Sequence, residues 1–165
     1  MSKIRERIYV RCPFGKAPSY LNYYLDELAR QGGADGSILR LAAPVAELGL
    51  GMPGGAELAH DVIAHFAAVD DDTFGLQQTA VDWEPAGGGP FPKFVGFLTI
   101  ETDEDFGTCS LLLEGAYEPP LGPIGVVFDA ALGHRIATVT ARELLKAVRR
   151  RLEGEYLTSQ RVETK

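Results

Sequence analysis

The sequence predicts a single α+β domain with about six or seven antiparallel strands, a short helix after the first strand and a long C-terminal helix. The chain has 165 residues, which is enough to bury a core without disulfides or metals. Its middle contains short runs of alternating polar and apolar residues, separated by turn-forming residues. Its last segment instead spaces apolar residues three and four apart, as a helix does. We place the domain at residues 1–157 and a polar C-terminal tail at 158–165.

The chain begins with a predicted strand over residues 3–12, followed by a predicted helix over residues 17–33. In the strand, apolar residues alternate with polar or aromatic ones, and Glu6 is the exception on the apolar side. Pro18 suits the first turn of the helix, and two glycines suit its end. The apolar stripe of the helix consists of Tyr20, Leu21, Tyr24, Leu25 and Leu28.

Strands fill the middle of the chain, with a glycine-rich loop at 49–55 between the first two of them. In the second strand, the polar residues Asp61 and His65 alternate with apolar ones, which favours a strand over a helix. The last of these segments folds back as a hairpin around the acidic turn at 103–105. The segments assigned to strands in this way are 37–45, 57–72, 75–85 and the hairpin 92–117.

A long helix is predicted from about residue 123 to residue 156. Its second half is amphipathic, with an apolar face that consists of Ala141, Leu144, Leu145, Val148 and Leu152. Its first half is apolar on all sides, which indicates that it is covered on more than one side. The apolar stripe changes direction near Gly133, which favours a bend at that point.

Three segments carry a resemblance to a known superfamily. They are VDWEP (81–85), FPKFVGFLTI (91–100) and, most specifically, LLLEGAYEPPLGPIG (111–125), which leads into the long helix. Together with the order of the elements, they resemble bacterial members of the START-like, or SRPBCC, superfamily. This superfamily includes birch-pollen-type allergens, polyketide aromatase/cyclases and ubiquinone-binding proteins. The resemblance implies a helix-grip fold, in which a curved antiparallel sheet wraps around the long helix and leaves an apolar cavity.

The resemblance also implies a function, namely the binding of a hydrophobic small molecule such as a lipid, polyketide or quinone in that cavity. The alternative is a polyketide cyclase-like, dehydratase-like or hydrolase-like enzyme that uses the same cavity. For an enzyme the ionisable candidates are His60, Asp129, His134 and Arg135, and no residue is assigned a catalytic role. A third hypothesis is an interaction module whose long helix is buried against a partner subunit.

Eight residues are predicted to bind the ligand. Six of them lie on the apolar side of their elements, and the other two are polar residues within otherwise apolar segments. The alternative is a filled core, since protein interiors are normally close-packed. The eight residues are His60, Trp83, Phe94, Leu98, Leu113, Tyr117, Phe128 and Arg135.

The sequence predicts neither a metal site nor a cofactor. His60 and His65 are five residues apart, which places them on opposite faces of a strand, so they cannot share a metal. The acidic runs lack the pattern of a calcium loop, and the glycine run at 86–90 lacks that of a phosphate loop. Cys12 and Cys109 form no metal or redox motif, and the sequence leaves open whether they form a disulfide.

Charge and hydropathy argue against nucleic-acid and membrane partners. The net charge of −7 provides no basic surface for a phosphate backbone. The N-terminus is charged from the start and lacks the apolar core of a signal peptide. No apolar run approaches the roughly 20 residues that span a bilayer. We therefore expect a cytoplasmic protein with a hydrophobic small-molecule partner, and the sequence leaves a homodimer open.

Overall fold

The helices and strands follow the order that the sequence predicts. The structure, a computed structural model, describes residues 2–33, 36–44, 57–69, 77–87, 91–118 and 130–164. Within these ranges the elements, in chain order, are β1 (Ser2–Val10), α1 (Ala17–Gly32), β2 (Ser37–Pro44), β3 (Glu57–Val69), β4 (Gln78–Pro85), β5 (Lys93–Thr102), β6 (Cys109–Glu118) and α2 (Ala130–Glu163).

The strands form one six-stranded antiparallel sheet in the order β1-β6-β5-β4-β3-β2. Strands β2 to β6 pair in chain order, whereas β1 pairs with β6, so that β1 and β2 are the two edges. Helix α2 contacts β1, β2, β6 and α1. One helix can touch both edges of a six-stranded sheet only if the sheet curves around it. The predicted fold class, a curved antiparallel sheet around a long C-terminal helix, is therefore confirmed.

Side-chain alternation along the strands separates a buried concave face from an exposed convex face. In β4, Val81 and Trp83 are buried, whereas Asp82 and Glu84 between and beyond them are exposed, as predicted. The strand assignment of β3 is also confirmed. Its residue His65 is exposed on the convex face, where its Nδ1 lies 2.8 Å from Oδ2 of Asp82.

Two glycines face each other in the middle of the concave face. Gly96 in β5 pairs with Gly115 in β6. A Cβ atom on either glycine would lie 2.7 Å from Cζ of Phe94, far inside van der Waals contact. The absence of both side chains therefore lets the Phe94 ring lie against the backbone of two neighbouring strands.

The structure explains why the polar residue Glu6 interrupts the apolar side of β1. Glu6 is half-buried on the concave side, and its Oε2 accepts a 2.7 Å hydrogen bond from Nε of Arg142 on α2. The strand ends at Val10, two residues before its predicted end. Cys12 is nevertheless fully buried, because the chain continues across the core before α1 begins.

Helix α2 continues to Glu163, seven residues beyond its predicted end near Tyr156. The additional turns contact the start of α1: Tyr20 Oη lies 3.1 Å from Ser159 Oγ, and Lys16 Nζ lies 3.6 Å from a carboxylate oxygen of Glu163. The predicted first part of this helix, before residue 130, lies outside the described residues. Neither helix in the described ranges combines the length and apolar character that crossing a bilayer requires.

Candidate functional site

Aromatic side chains from neighbouring strands occupy one end of the concave face. Trp83 in β4 lies opposite Phe94 in β5, which in turn lies opposite Tyr117 in β6. The rings of Trp83 and Phe94 stack with centroids 4.2 Å apart. Beside them, His60 of β3 stacks on Phe91, just before β5, at 5.2 Å. We call these five residues, His60, Trp83, Phe91, Phe94 and Tyr117, the aromatic end.

Five of the eight residues predicted to bind a ligand lie together on the concave face. They are 0–2% exposed, so all five side chains are buried in the interior, as expected for residues on the inward face of their strands. The five residues are Trp83, Phe94, Leu98, Leu113 and Tyr117.

The other three predicted residues have different surroundings. His60 is half-buried at the aromatic end, on the face opposite to His65, as predicted. Arg135 is exposed near the start of α2, and Phe128 lies outside the described residues. Of the ionisable candidates for an enzyme, His134 is also exposed, although its ring lies 6.0 Å from that of Tyr117. Asp129 lies outside the described residues.

An open space of about 480 Å³ lies between α1 and β3, and none of the five aromatic-end residues lines it. Leu25, Ala64 and Phe66 contribute apolar surface to it, and Asn22 and Asp26 contribute polar surface. We call this space the α1–β3 opening. Ala64 is paired with Trp83 across the β3–β4 ladder, so the opening reaches the strand position next to the tryptophan.

Among the described residues, five buried side-chain nitrogen or oxygen atoms have no hydrogen-bond partner. Oδ2 of Asp103 and Nε of Arg151 belong to side chains that are paired through another atom, whereas the other three belong to side chains without such a bond. These three are Nε2 of His60, Nε1 of Trp83 and Oγ1 of Thr140 on α2. Leaving such a group unpaired costs about 1–3 kcal/mol, so an arrangement that keeps three of them requires an explanation. A bound molecule with polar atoms at these positions would remove that cost.

Sequence reasoning did not include Phe91 or Thr140 among the candidate residues. Phe91 follows a glycine- and proline-rich run, which made its position look like part of a loop. Thr140 lies four residues from both Ile136 and Leu144 on α2, and all three are buried. That spacing places a hydroxyl on the apolar stripe of the helix, and it was the signal that could have identified Thr140.

The opposite end of the concave face is apolar. We call its members the apolar end: Val10, Cys12, Leu21, Ile100, Cys109, Leu145 and Leu152, all of which are 0–1% exposed. Both thiols are free. Burial raises the pKa of Cys12 to about 11 and that of Cys109 to about 12, so both thiols stay protonated near neutral pH. Within the described ranges, no three His, Cys, Asp or Glu side chains cluster in a way that could hold a metal.

Solved structures of other proteins resemble this chain in fold, whereas sequence comparisons find no match. No protein-family model matches the chain, and no curated protein matches it in sequence. A conserved protein from Geobacillus kaustophilus superposes with a TM-score of 0.52 at 15% identity, over 96% of this chain and 97% of the other. The protein TTHA0849 from Thermus thermophilus gives a TM-score of 0.49 at 16% identity, over 93% and 99% of the two chains. Ara h 8.0201 gives 0.49 at 14% identity, over 95% and 98%.

The match to the Geobacillus protein extends over nearly the full length of both chains, and so it concerns the whole arrangement of elements. That arrangement is a strand, a helix, five further antiparallel strands and a long final helix that contacts both sheet edges. The chain therefore has a helix-grip fold, with a curved antiparallel sheet around a long C-terminal helix, as predicted from its sequence.

Proposed function

We propose that the protein binds a hydrophobic small molecule in the α1–β3 opening, next to the aromatic end of the concave face. The observation that carries this proposal is the position of the opening. It is an open space of about 480 Å³ whose inner wall, at Ala64, adjoins a stack of buried aromatic rings. Ligand pockets typically measure about 300–1,000 Å³ and combine apolar walls with a few polar groups.

The walls of the opening present both apolar and polar groups to a ligand. Leu25 and Phe66 are half-buried, so each presents part of its apolar surface to the opening. Covering about 200 Å² of apolar surface would contribute about 5 kcal/mol before the costs of association are subtracted. The polar groups Asn22 and Asp26 lie on α1 at the outer part of the opening, where they suit orientation of the ligand more than affinity.

The burial of the aromatic end supports a ligand position outside it. Trp83 and Phe94 are 1–2% exposed, so a ligand cannot replace them without disrupting the core. We therefore propose that the ligand occupies the opening, against Ala64, which is paired with Trp83 in the sheet. In this arrangement the buried aromatic side chains support the site from behind and are not displaced by the ligand.

Ligand retention tests this proposal directly. The purified protein is incubated with mixtures of lipids, polyketides and quinones, and retained species are identified by native mass spectrometry. Ala29 is exposed on α1 and lines the opening, so Ala29→Trp should fill the space without disturbing the core. Gln31→Trp is the matched control, because Gln31 is exposed on the same helix two residues away.

We expect the wild-type chain and Gln31→Trp to retain the same molecule, and Ala29→Trp to bind it at least tenfold more weakly. Retention of the same molecule by all three proteins would show that the opening is not the binding space. No retained species from any of the mixtures would remove the support for a carrier function.

A further inference from the structure

We propose that the convex face of the sheet binds the same face of a second copy of this chain, so that the protein forms a two-fold symmetric dimer. This surface is separate from the α1–β3 opening, because the groove on it and the opening share no lining residue. The inference therefore does not depend on the proposed function. The residues that carry it, which we call the convex patch, are Lys3, Arg5, Asp82, Val95, Phe97 and Ala116.

Apolar side chains lie exposed in the centre of the convex face. Val95 and Phe97 on β5 are 63% and 43% exposed, and they point to the same side because they are two residues apart on one strand. Ala116 on β6 lies directly beside Val95 in the ladder. Contiguous exposed apolar surface of this kind is typical of a surface that another protein covers.

A groove of about 500 Å³ lies next to Phe97. Strand β6 contributes the small residues Gly115 and Ala116 to it, whereas the longer side chains of Arg5 on β1 and Phe97 on β5 lie on either side. The same face therefore presents an exposed aromatic ring and, one strand away, a groove with room for such a ring. A surface that complements itself in this way is what a two-fold dimer requires.

The charges on the two sides of the apolar residues are opposite in sign. The ladders place Lys3, Ala116, Val95 and Asp82 in one row across β1, β6, β5 and β4. The row runs positive, apolar, apolar, negative, so its reverse is complementary to it. Within one chain Lys3 and Asp82 are three strand spacings apart, about 14 Å, which is too far for an ion pair. A second copy can pair both of these charges.

A two-fold axis that runs parallel to the strands, between β5 and β6, brings two such rows together. It reverses the strand order of the second copy, so that β1 of one copy lies over β4 of the other. Lys3 of each copy then faces Asp82 of the other, and Val95 faces Ala116. Phe97 lies over β6 of the second copy, where the groove is. Sheets that pack face to face adopt nearly this orientation, with their strands about 30° apart.

The neighbouring rows fit the same axis. Glu118 on β6 is paired with Lys93 on β5, so each of them faces the opposite charge of the second copy. Glu114 comes to lie opposite Phe97, and its charge is balanced within its own chain by Arg5, whose Nε is 3.5 Å away. Exposed charges contribute more to orientation than to affinity, so the apolar residues supply the affinity and the charges fix the relative position of the two copies.

Sedimentation velocity of the full chain over a range of concentrations tests the inference. We expect the wild type to form dimers that weaken as the salt concentration rises. Val95→Glu places a charge in the centre of the interface, and we expect dimerisation to become about tenfold weaker or more. Ile38→Glu is the matched control, because Ile38 is also β-branched, is 65% exposed and lies on β2, outside the convex patch. We expect it to dimerise as the wild type does.

Two charge reversals test the symmetry of the arrangement. Lys3→Glu places like charges opposite each other in the dimer, and so does Asp82→Lys, so each variant alone should dimerise about tenfold more weakly or worse. When the two variants are mixed, both contacts of a mixed dimer again join opposite charges. We expect the mixture to dimerise about as tightly as the wild type, which a purely structural role of either residue would not produce.

Three outcomes would overturn the inference. A wild-type chain that stays monomeric at about 1 mM would show that the convex patch does not bind a second copy. A dimer that persists unchanged in Val95→Glu would place the interface on another surface, such as α2. If the mixture of Lys3→Glu and Asp82→Lys stays monomeric although the wild type dimerises, the two-fold arrangement is wrong. Ligand retention by the opening is measured separately and is unaffected by any of these results.

Discussion

The two ends of the concave face are both largely buried, but they differ in whether their buried polar atoms have hydrogen-bond partners. The apolar end consists of five hydrocarbon side chains and two protonated thiols, and none of its atoms is a buried polar group that lacks a partner in the structure. The aromatic end contains Nε1 of Trp83 and Nε2 of His60, which are buried and unpaired. Close packing accounts for the first end, whereas the two unpaired nitrogens of the second end are not explained by packing. The proposed binding of a small molecule would give them a role.

The largest effect that this contrast predicts is on the apolar end. Leu145 is 1% exposed on α2, and Leu145→Ala should lower the free energy of unfolding by about 3 kcal/mol, through lost burial and a cavity. Urea unfolding measures this loss. Leu157→Ala is the control on the same helix: Leu157 is 60% exposed, and we expect a change below about 0.5 kcal/mol. Equal losses in the two variants would contradict the assignment of Leu145 to the packed core.

A smaller loss is expected from the glycine pair behind the aromatic end. A Cβ atom at Gly96 would collide with the carbonyl oxygen of Glu114 and with Phe94, so Gly96→Ala should cost about 2 kcal/mol of stability. It should also change the fluorescence of Trp83, because Phe94 has to move away from its stacking position.

Gly154→Ala provides the matched control for this substitution. No atom lies within 4 Å of the position that a Cβ would take at Gly154, and the residue is exposed inside α2. There the same change should stabilise the protein by up to about 1 kcal/mol, because alanine is the better helix former. If Gly96→Ala proved as harmless as Gly154→Ala, the inference that the sheet backbone supports the Phe94 ring would be wrong.

The two buried thiols of the apolar end should make the free energy of unfolding depend on pH. Burial, the largest cause, raises the pKa of Cys12 to about 11 and that of Cys109 to about 12, above the value of 9.0 for a free thiol. The folded state therefore holds these protons more tightly than the unfolded state. The resulting stability is complete below about pH 9 and is lost as the pH rises through the folded-state pKa values.

Unfolding experiments at about pH 8 and about pH 10 measure this effect. The double variant Cys12→Ala, Cys109→Ala serves as the comparison, since the other alkaline groups titrate equally in both proteins. We expect the wild type to lose more stability over this interval than the variant. If the free energy of unfolding falls by the same amount in both proteins over this interval, the two thiols are not desolvated in the folded protein.

The contrast between the two ends also shows which features of the concave face could be predicted from the sequence. Period-two alternation assigned Trp83, Phe94 and Tyr117 to the buried face correctly, because each strand has only two faces. It could not tell whether the space between that face and α2 is open, because alternation states which side chains point inwards and not how far apart the layers lie. The position of the α1–β3 opening could therefore be found only from the structure.

Contacts distant along the chain were equally out of reach. Glu6 spoiled the pattern of β1 because its partner, Arg142, lies on a helix that comes 136 residues later. The pairing of Gly96 with Gly115 depends on the β5–β6 register, in which a shift of one residue would move every side chain to the other face. In both cases the unusual residue was visible in the sequence, but its reason was a partner that only the fold identifies.

The smallest expected effect, that of Thr140→Val, tests the contrast most sharply, because this substitution should raise the stability and not lower it. Thr140 is 1% exposed, and its hydroxyl has no hydrogen-bond partner, so Thr140→Val removes an unpaired polar group and keeps the shape of the side chain. We expect the free energy of unfolding to rise by about 1 kcal/mol. Ser110→Ala deletes another buried hydroxyl, one that donates to Asp103, and should lower it by about 1 kcal/mol. Thermal and urea unfolding of both variants measure the two signs.

A loss of stability in Thr140→Val as large as that in Ser110→Ala would mean that the Thr140 hydroxyl has a hydrogen-bond partner in the folded protein. The interior would then hold one unexplained polar group fewer, and the case for a bound polar atom near α2 would weaken accordingly.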